Sequence, residues 1–280
     1  QSREEAIKVG LPLFGTKLLP MIETVEKWVS EKQQGAHTTK PTLLVHCWRG
    51  GMRSAAVAWL LDLYGYKVYQ LTGGYKAYRN WVLNQFIKYT GRPIVSLESA
   101  TRHPLQSLTD LITINEYKKV DRPKVVLTWA PHVKALPQCV PNSFAEWMNH
   151  ADVDFTIAHP KGYELAPEFA GDAKICYDPK EAFEGADFIY AKNWSSYQDY
   201  GKILSSDPAW MVTMDKMKLT NNAKFMHCLP VRRNVVVEDA VLDSEHSIVI
   251  QQAGNRVWAA QVVLKEMILT LMRQESPYLF

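Results

Sequence analysis

Cysteine is scarce and scattered in this sequence: Cys47, Cys139, Cys176 and Cys228 form no C-x-x-C pair. That spacing argues against a zinc knuckle or a disulfide framework and fits thiols kept reduced. No apolar run approaches the ~20 residues of a bilayer span, so no membrane partner is expected. The opening QSREEAIK lacks the apolar core of a signal peptide, and a cytoplasmic protein is expected. Because the sequence does not open on Met, a piece upstream is compatible with it. There is no low-complexity stretch, internal repeat or Lys/Arg run. The balance of 32 basic against 29 acidic residues leaves +3 on 280 residues. That mild bias suits small anionic substrates and is no argument for nucleic acid by itself. An apolar content of 47% excludes disorder and fibres, and the length allows one large or two modest domains.

Strand and helix patterns alternate almost throughout, which predicts an α/β fold with mostly parallel sheets. Helical spacing of Leu18, Ile22, Val25 and Val29 is followed by a loop, the strand TLLVHC, a Gly-rich turn and the helix AAVAWLLDLYG closed by Gly65. The strand KVYQL and a helix through Tyr75, Tyr78, Val82 and Phe86 complete this part. The character changes after it. PIVSLES reads as a strand, PLQSLTDLITINEYKK as a helix, and KVVLTWA, DFTIAHP, DFIYAKN, KFMHCLP and SIVIQQ as further strands. A helix around SFAEWM and a final one of about twenty residues are expected. Trp129, Trp147 and Trp194 read as core. A boundary near 86–92 divides the chain into 1–86 and 87–280.

HCWRGGMRS puts Cys47 at the carboxyl end of a predicted parallel strand, ahead of two glycines and a helix start. Turn amides, the helix dipole and the charges of Arg49 and Arg53 favour an anion there, so Cys47 is expected to be a thiolate nucleophile. The alternative is a buried core cysteine beside a structural turn. Cys-x5-Arg is also the spacing of a cysteine-phosphatase cradle, and the motif alone does not separate these chemistries.

Three polar clusters interrupt the second part. Glu98, Arg102, His103 and Gln106 surround a predicted strand end and the first turn of the next helix, where open α/β sheets bind ligands. An imidazole and a carboxamide there can hydrogen-bond a carbonyl, and Arg102 can face an anion; a plain helix cap, with Thr101 capping and Pro104 following, is the bland alternative. The second cluster places His227 and Cys228 before a Leu-Pro turn, with Arg232 and Arg233 beyond. Adjacent strand residues point to opposite faces, which argues against a metal held by His227 and Cys228. The third is AGNR, where Arg256 opens the last helix.

CWRGGMRS and LTGGYKAY, within 1–86, resemble the rhodanese domain of tRNA 2-selenouridine synthase. The resemblance implies a Cys47 that handles persulfide or selenium, with Arg49, Arg53 and the turn amides holding the anionic group and tRNA as partner. The family's Asp-Val-Arg opening and its nucleotide P-loop are absent from this chain. HPLQ (103–106), HCLP (227–230) and the late Asn-Arg pair resemble the carbamoyltransferases in order and spacing. RPKVVLTWAP, PNSFAEWMN, FEGADFIYAKNW and NNAKFMHCLPVRRN resemble the branch that uses N-acetyl- or N-succinylornithine.

This second resemblance implies a Rossmann-like amino-acid-binding domain acting on carbamoyl phosphate and an N-acylornithine in arginine biosynthesis. His103 and Gln106 would hold the carbamoyl group as the δ-amine attacks, with Arg256, Cys228 and Leu229 stabilising the oxyanion. Glu98, Arg102, Asn142, Lys192 and His227 would lie toward the substrate. No metal or cofactor is implied, and the family's homotrimer is the oligomer it suggests. The family's Ser-x-Arg-Thr-Arg phosphate turn does not occur in this sequence, so impaired transfer is expected, or an amino-acid-binding module without catalysis. The last helix carries an apolar stripe through Val257, Ala260, Val263, Leu264, Met267, Ile268 and Leu271, a liability for association if left uncovered.

Overall fold

The computed structural model describes residues 3–32, 40–47, 51–99 and 101–275. Arg49 and the side chain of Arg53, the two cationic members of the expected Cys47 cradle, lie outside the described residues. Two compact units divide the chain, Gln1–Gln85 and Phe86–Phe280.

The first unit contains α1 (Arg3–Gly15), α2 (Leu18–Lys32), β1 (Thr42–Val45), α3 (Met52–Leu63), β2 (Lys67–Gln70) and most of α4 (Gly74–Thr90). β1 and β2 pair in parallel with Leu43 opposite Val68, and α3 makes the crossover that parallel strands require. Leu60 and Leu61 on α3 are buried with Tyr66. Gly65, at φ 95°, ends α3 in a conformation that favours glycine, and its N–H donates to Asp62 O at 2.8 Å. α4 continues past the unit boundary to Gly91, also at positive φ.

The second unit runs α5 (Pro104–Tyr117), β3 (Lys124–Trp129), α6 (Cys139–His150), β4 (Asp154–Ala158), α7 (Pro167–Ala170), β5 (Lys174–Cys176), α8 (Pro179–Phe183), β6 (Phe188–Lys192), α9 (Met214–Met217), β7 (Lys224–Met226), α10 (Asp239–Leu242) and α11 (Val249–Glu275). Its sheet has the order β5-β4-β3-β6-β7 and every pairing is parallel, which is the expected α/β class. Val125, Val126 and Leu127 are wholly buried, as a central parallel strand requires, and this explains the unbroken apolar run of β3. The order in which strands are added reverses at β3, which has β4 on one side and β6 on the other. The carboxyl ends of β3 and β6 therefore flank a switch-point crevice. Trp129 and Trp194 are core: Trp129 Nε1 donates to Trp194 O at 3.1 Å, and Trp194 Nε1 to Tyr163 O at 2.7 Å. Trp147 is half-buried.

Several elements differ from expectation. PIVSLES forms no strand. Pro93 lacks a backbone donor, and Ser99 closes a local turn, with both its N–H (2.8 Å) and its hydroxyl (3.1 Å) donating to Arg102 O. SIVIQQ contributes one bridge, Ser247 to Phe225, before Val249 opens α11. The β-branched run suggested a strand, but packing against β7 turns it into a helix start. α11 is 27 residues long, so Arg256 sits in its second turn and does not open it. The three-residue edge strand β5 has no counterpart in the sequence reading.

Candidate active site

A cavity of about 730 Å³ opens beside the switch point, lined within the second unit by residues from three loops, the end of β6, the start of α6, and α11. Of the residues expected to act, the structure brings Glu98, His103, Lys192, Cys228, Leu229 and Arg256 together on its wall. The loop after β3 adds His132 and Lys134, the start of α6 adds Cys139, and the turn after β7 adds Arg232.

His103 precedes α5, and its N–H donates to Ser143 Oγ on α6 at 2.8 Å, which fixes where the helix starts. Burial, aided by Arg256 and Lys192 and opposed by Glu98, holds its imidazole below the usual range, so the ring is neutral at pH 7. His103 Nδ1 is buried and has no partner among the described residues. Gln106 lies one turn further along α5. Its Nε2 donates to Asp110 Oδ1 at 2.7 Å, and its Oε1 is buried without a partner among the described residues.

The turn after β7 is built on His227. Its buried ring has a pKa pushed down to about 3, chiefly by burial, and Nδ1 accepts the N–H of Leu229 at 3.0 Å. Leu229 is a non-glycine residue at φ 55°, so this turn holds backbone strain that the His227 contact helps to offset. Arg256 Nη2 donates to Cys228 O at 2.6 Å and ties α11 to the same turn. Opposite, Arg232 Nε donates to His132 Nε2 at 3.2 Å, and His132 Nδ1 lies 2.9 Å from Lys134 O and 3.1 Å from Lys134 N. Burial lowers the pKa of His132 as well. Cys139 Sγ donates to Glu98 Oε1 at 3.3 Å, and burial first, then Glu98, pushes the thiol up to about 12, so it is not a nucleophile. The wall carries Lys134, Lys192, Arg232 and Arg256 against the single carboxylate Glu98.

Four expected residues do not line the cavity, and the buried Gln106, bonded to Asp110 beneath it, is one of them. Arg102 pairs with Glu146, Nη2 to Oε1 at 2.9 Å and Nε to Oε2 at 3.0 Å, and lies over the Phe169 ring. Asn142 is buried inside α6, donating to Thr101 O and accepting from the Tyr197 hydroxyl, a structural clamp between two loops. His227 acts beneath the wall through Leu229. In the first unit, Cys47 follows β1; Gly51 N–H donates to its Sγ at 3.3 Å and the Ser54 hydroxyl lies 3.2 Å away.

Loops at the carboxyl ends of a parallel sheet, an imidazole at a helix start, and an arginine anchored to a Cys-Leu-Pro turn thus surround one concave, cation-rich site. Residues 138–267 match the aspartate/ornithine carbamoyltransferase family, Asp/Orn binding domain. The second unit thus contains a segment similar to the amino-acid-binding domain of that family. N-succinylornithine carbamoyltransferase of Bacteroides thetaiotaomicron is 64% identical over 193 residues, which are 68% of this chain and 61% of that protein. N-acetylornithine carbamoyltransferase of Xylella fastidiosa is 34% identical over 204 residues, 65% of this chain and 60% of that one. The chain thus spans about three fifths of the length of the curated relatives it matches. The crystal structure of N-acetyl-L-ornithine transcarbamylase is similar at a TM-score of 0.60 and 26% identity, over 90% of this chain and 96% of that one. A variant of that enzyme complexed with carbamyl phosphate and N-succinyl-L-norvaline is similar at 0.61 and 25%.

Proposed function

We propose that the second unit binds an N-acylated ornithine and holds a carbamoyl group for transfer to its δ-amine. The observation that carries this reading is the convergence of His103, the Cys228–Leu229 turn and Arg256 on one cavity whose wall is rich in cations. The amine lone pair attacks the carbamoyl carbon, the bond from that carbon to the phosphate oxygen breaks, and phosphate leaves with the electron pair and an amine proton. Neutral His103 hydrogen-bonds the carbamoyl oxygen, Gln106 holds the carbamoyl nitrogen, and Arg256 faces the oxyanion as charge develops. Four wall cations against one carboxylate favour the succinyl substrate, which carries two carboxylates where the acetyl compound carries one. The higher identity to the N-succinylornithine relative supports the same choice. The reading assigns no phosphate site.

The test is citrulline-type ureido product from carbamoyl phosphate and N-succinylornithine, assayed with the purified chain and with His103→Ala. The expected loss on substitution is about 100-fold or more in kcat, the size of a missing oxyanion donor. Turnover unchanged by His103→Ala would remove the assignment. No turnover, with N-succinyl-L-norvaline still bound in calorimetry, would leave an amino-acid-binding module.

A second reading concerns Cys47. Gly51 N–H on its Sγ, at the start of α3, favours a thiolate. Sulfur transfer of the rhodanese kind predicts a persulfide on Cys47 after incubation with thiosulfate, with release of sulfite. An unmodified thiol by mass spectrometry would dismiss it, and Cys47→Ser is the control.

A further inference from the structure

Beneath the cavity α5 and α11 meet through buried polar side chains. Asp110, one turn beyond Gln106, is wholly buried and forms no ion pair among the described residues. Its Oδ1 accepts from two carboxamides, Gln106 Nε2 at 2.7 Å and Gln252 Nε2 at 2.6 Å. The second of these is fixed from its other end, because Gln252 Oε1 accepts the backbone N–H of His227 at 2.9 Å. An amide N–H can only donate, so Gln252 must turn its oxygen to His227 and its –NH2 to Asp110. Asp110 Oδ1 is then an acceptor facing two donors. If Gln106 turned over, it would set its own oxygen against that acceptor.

We infer that Asp110 is a positioning residue: it holds the Gln106 carboxamide with –NH2 inward, leaving Oε1 to accept an N–H of the carbamoyl group. The inference rests on the functional reading above. A second observation supports it independently: Gln106 Oε1 is buried and has no donor among the described residues, so it is an acceptor suited to an incoming N–H. Among the surrounding groups, the Tyr190 hydroxyl from β6 acts on Asp110 without a bond of normal geometry, the Cys228 thiol lies beside Tyr190, and Arg256 on α11 acts from further away. Burial outweighs the carboxamides, Tyr190 and Arg256 and raises the Asp110 carboxyl to about 7.

The experiment compares two ligands on the full chain by calorimetry. N-succinyl-L-citrulline carries the ureido group, and N-succinyl-L-norvaline is the same carbon chain without it, lacking the δ-nitrogen as well as the carbamoyl group. One net hydrogen bond to Gln106 predicts about a threefold to tenfold preference for the citrulline compound. In Asp110→Leu the preference falls to about one while norvaline affinity holds. In Asp110→Asn, whose Oδ1 can still accept from both carboxamides, it is retained. A preference unchanged in Asp110→Leu, or both affinities falling together, overturns the inference. Ligand-free NMR supplies an arm that needs neither turnover nor binding. The side-chain amide signals of Gln106 and Gln252, assigned through Gln106→Met and Gln252→Met, should move together between pH 5 and 9, and should not in Asp110→Asn. Signals indifferent to both pH and that substitution overturn the orientation outright. If neither ligand binds while the signals behave as expected, the functional reading fails, and the ligand half of the inference fails with it.

Discussion

His227 carries the turn that lines the cavity without lining it itself. Its ring must be neutral to accept the Leu229 N–H, and burial keeps it so. The folded-state pKa of about 3 lies below the ordinary 6.5. Between those values the unfolded chain binds more protons, so this contribution is full above pH 6.5 and is lost as pH falls toward 3. Asp110 has the opposite sign: its raised pKa favours the folded state at low pH, and that advantage fades as pH rises from about 4 toward 7. The two slopes overlap, so a variant separates them. His227→Asn, whose Oδ1 can take the place of Nδ1, should lose roughly 2–3 kcal/mol less than the wild type between pH 6.5 and 4.5. Urea unfolding at the two pH values is the measurement, and equal losses would refute the assignment.

At the scale of elements, α11 makes two kinds of surface. Its first turns are bound to α5 by buried polar contacts, Gln252 to Asp110 and Asn255 Nδ2 to Thr113 Oγ1 (3.0 Å) and Glu116 Oε2 (2.6 Å). Further on, Val257, Leu264 and Ile268 of the expected stripe are more than half exposed, and so are Trp258 and Met272 beside it. Leu264→Lys with Ile268→Glu should therefore raise solubility and cut binding of a hydrophobic dye, while stability changes by no more than about 0.5 kcal/mol. Unfolding curves and dye fluorescence check both halves, and a large stability loss would mean that this face is covered.

Legibility differed between elements for physical reasons. The long runs of β3, β4 and β6 were readable because burial on both faces demands continuous apolar sequence. β5 is short and half exposed, and the start of α11 copies a strand in its β-branched residues. His103, Cys228 and Arg256 stood out because they interrupt apolar patterns at element ends. His132, Lys134 and Cys139 reach the same cavity from a loop and a helix start with no pattern to mark them. Gln252 lies 142 residues from Asp110, and only the packing of α11 on α5 brings them together.

Taken whole, the molecule is unevenly consolidated. The second unit has five strands and a continuous core, whereas β1 and β2 each have one strand partner among the described residues. A two-stranded sheet is marginal in water, and local opening costs less where fewer neighbours must part. Backbone amides of Leu43 and Val68 should exchange with deuterium orders of magnitude faster than that of Val126. Heating should then release the chain in two steps instead of one. N-succinyl-L-norvaline, stabilising only the unit that binds it, should raise the second melting step and leave the first in place. Calorimetry would thereby report which half of the molecule a ligand occupies before any chemistry is assayed.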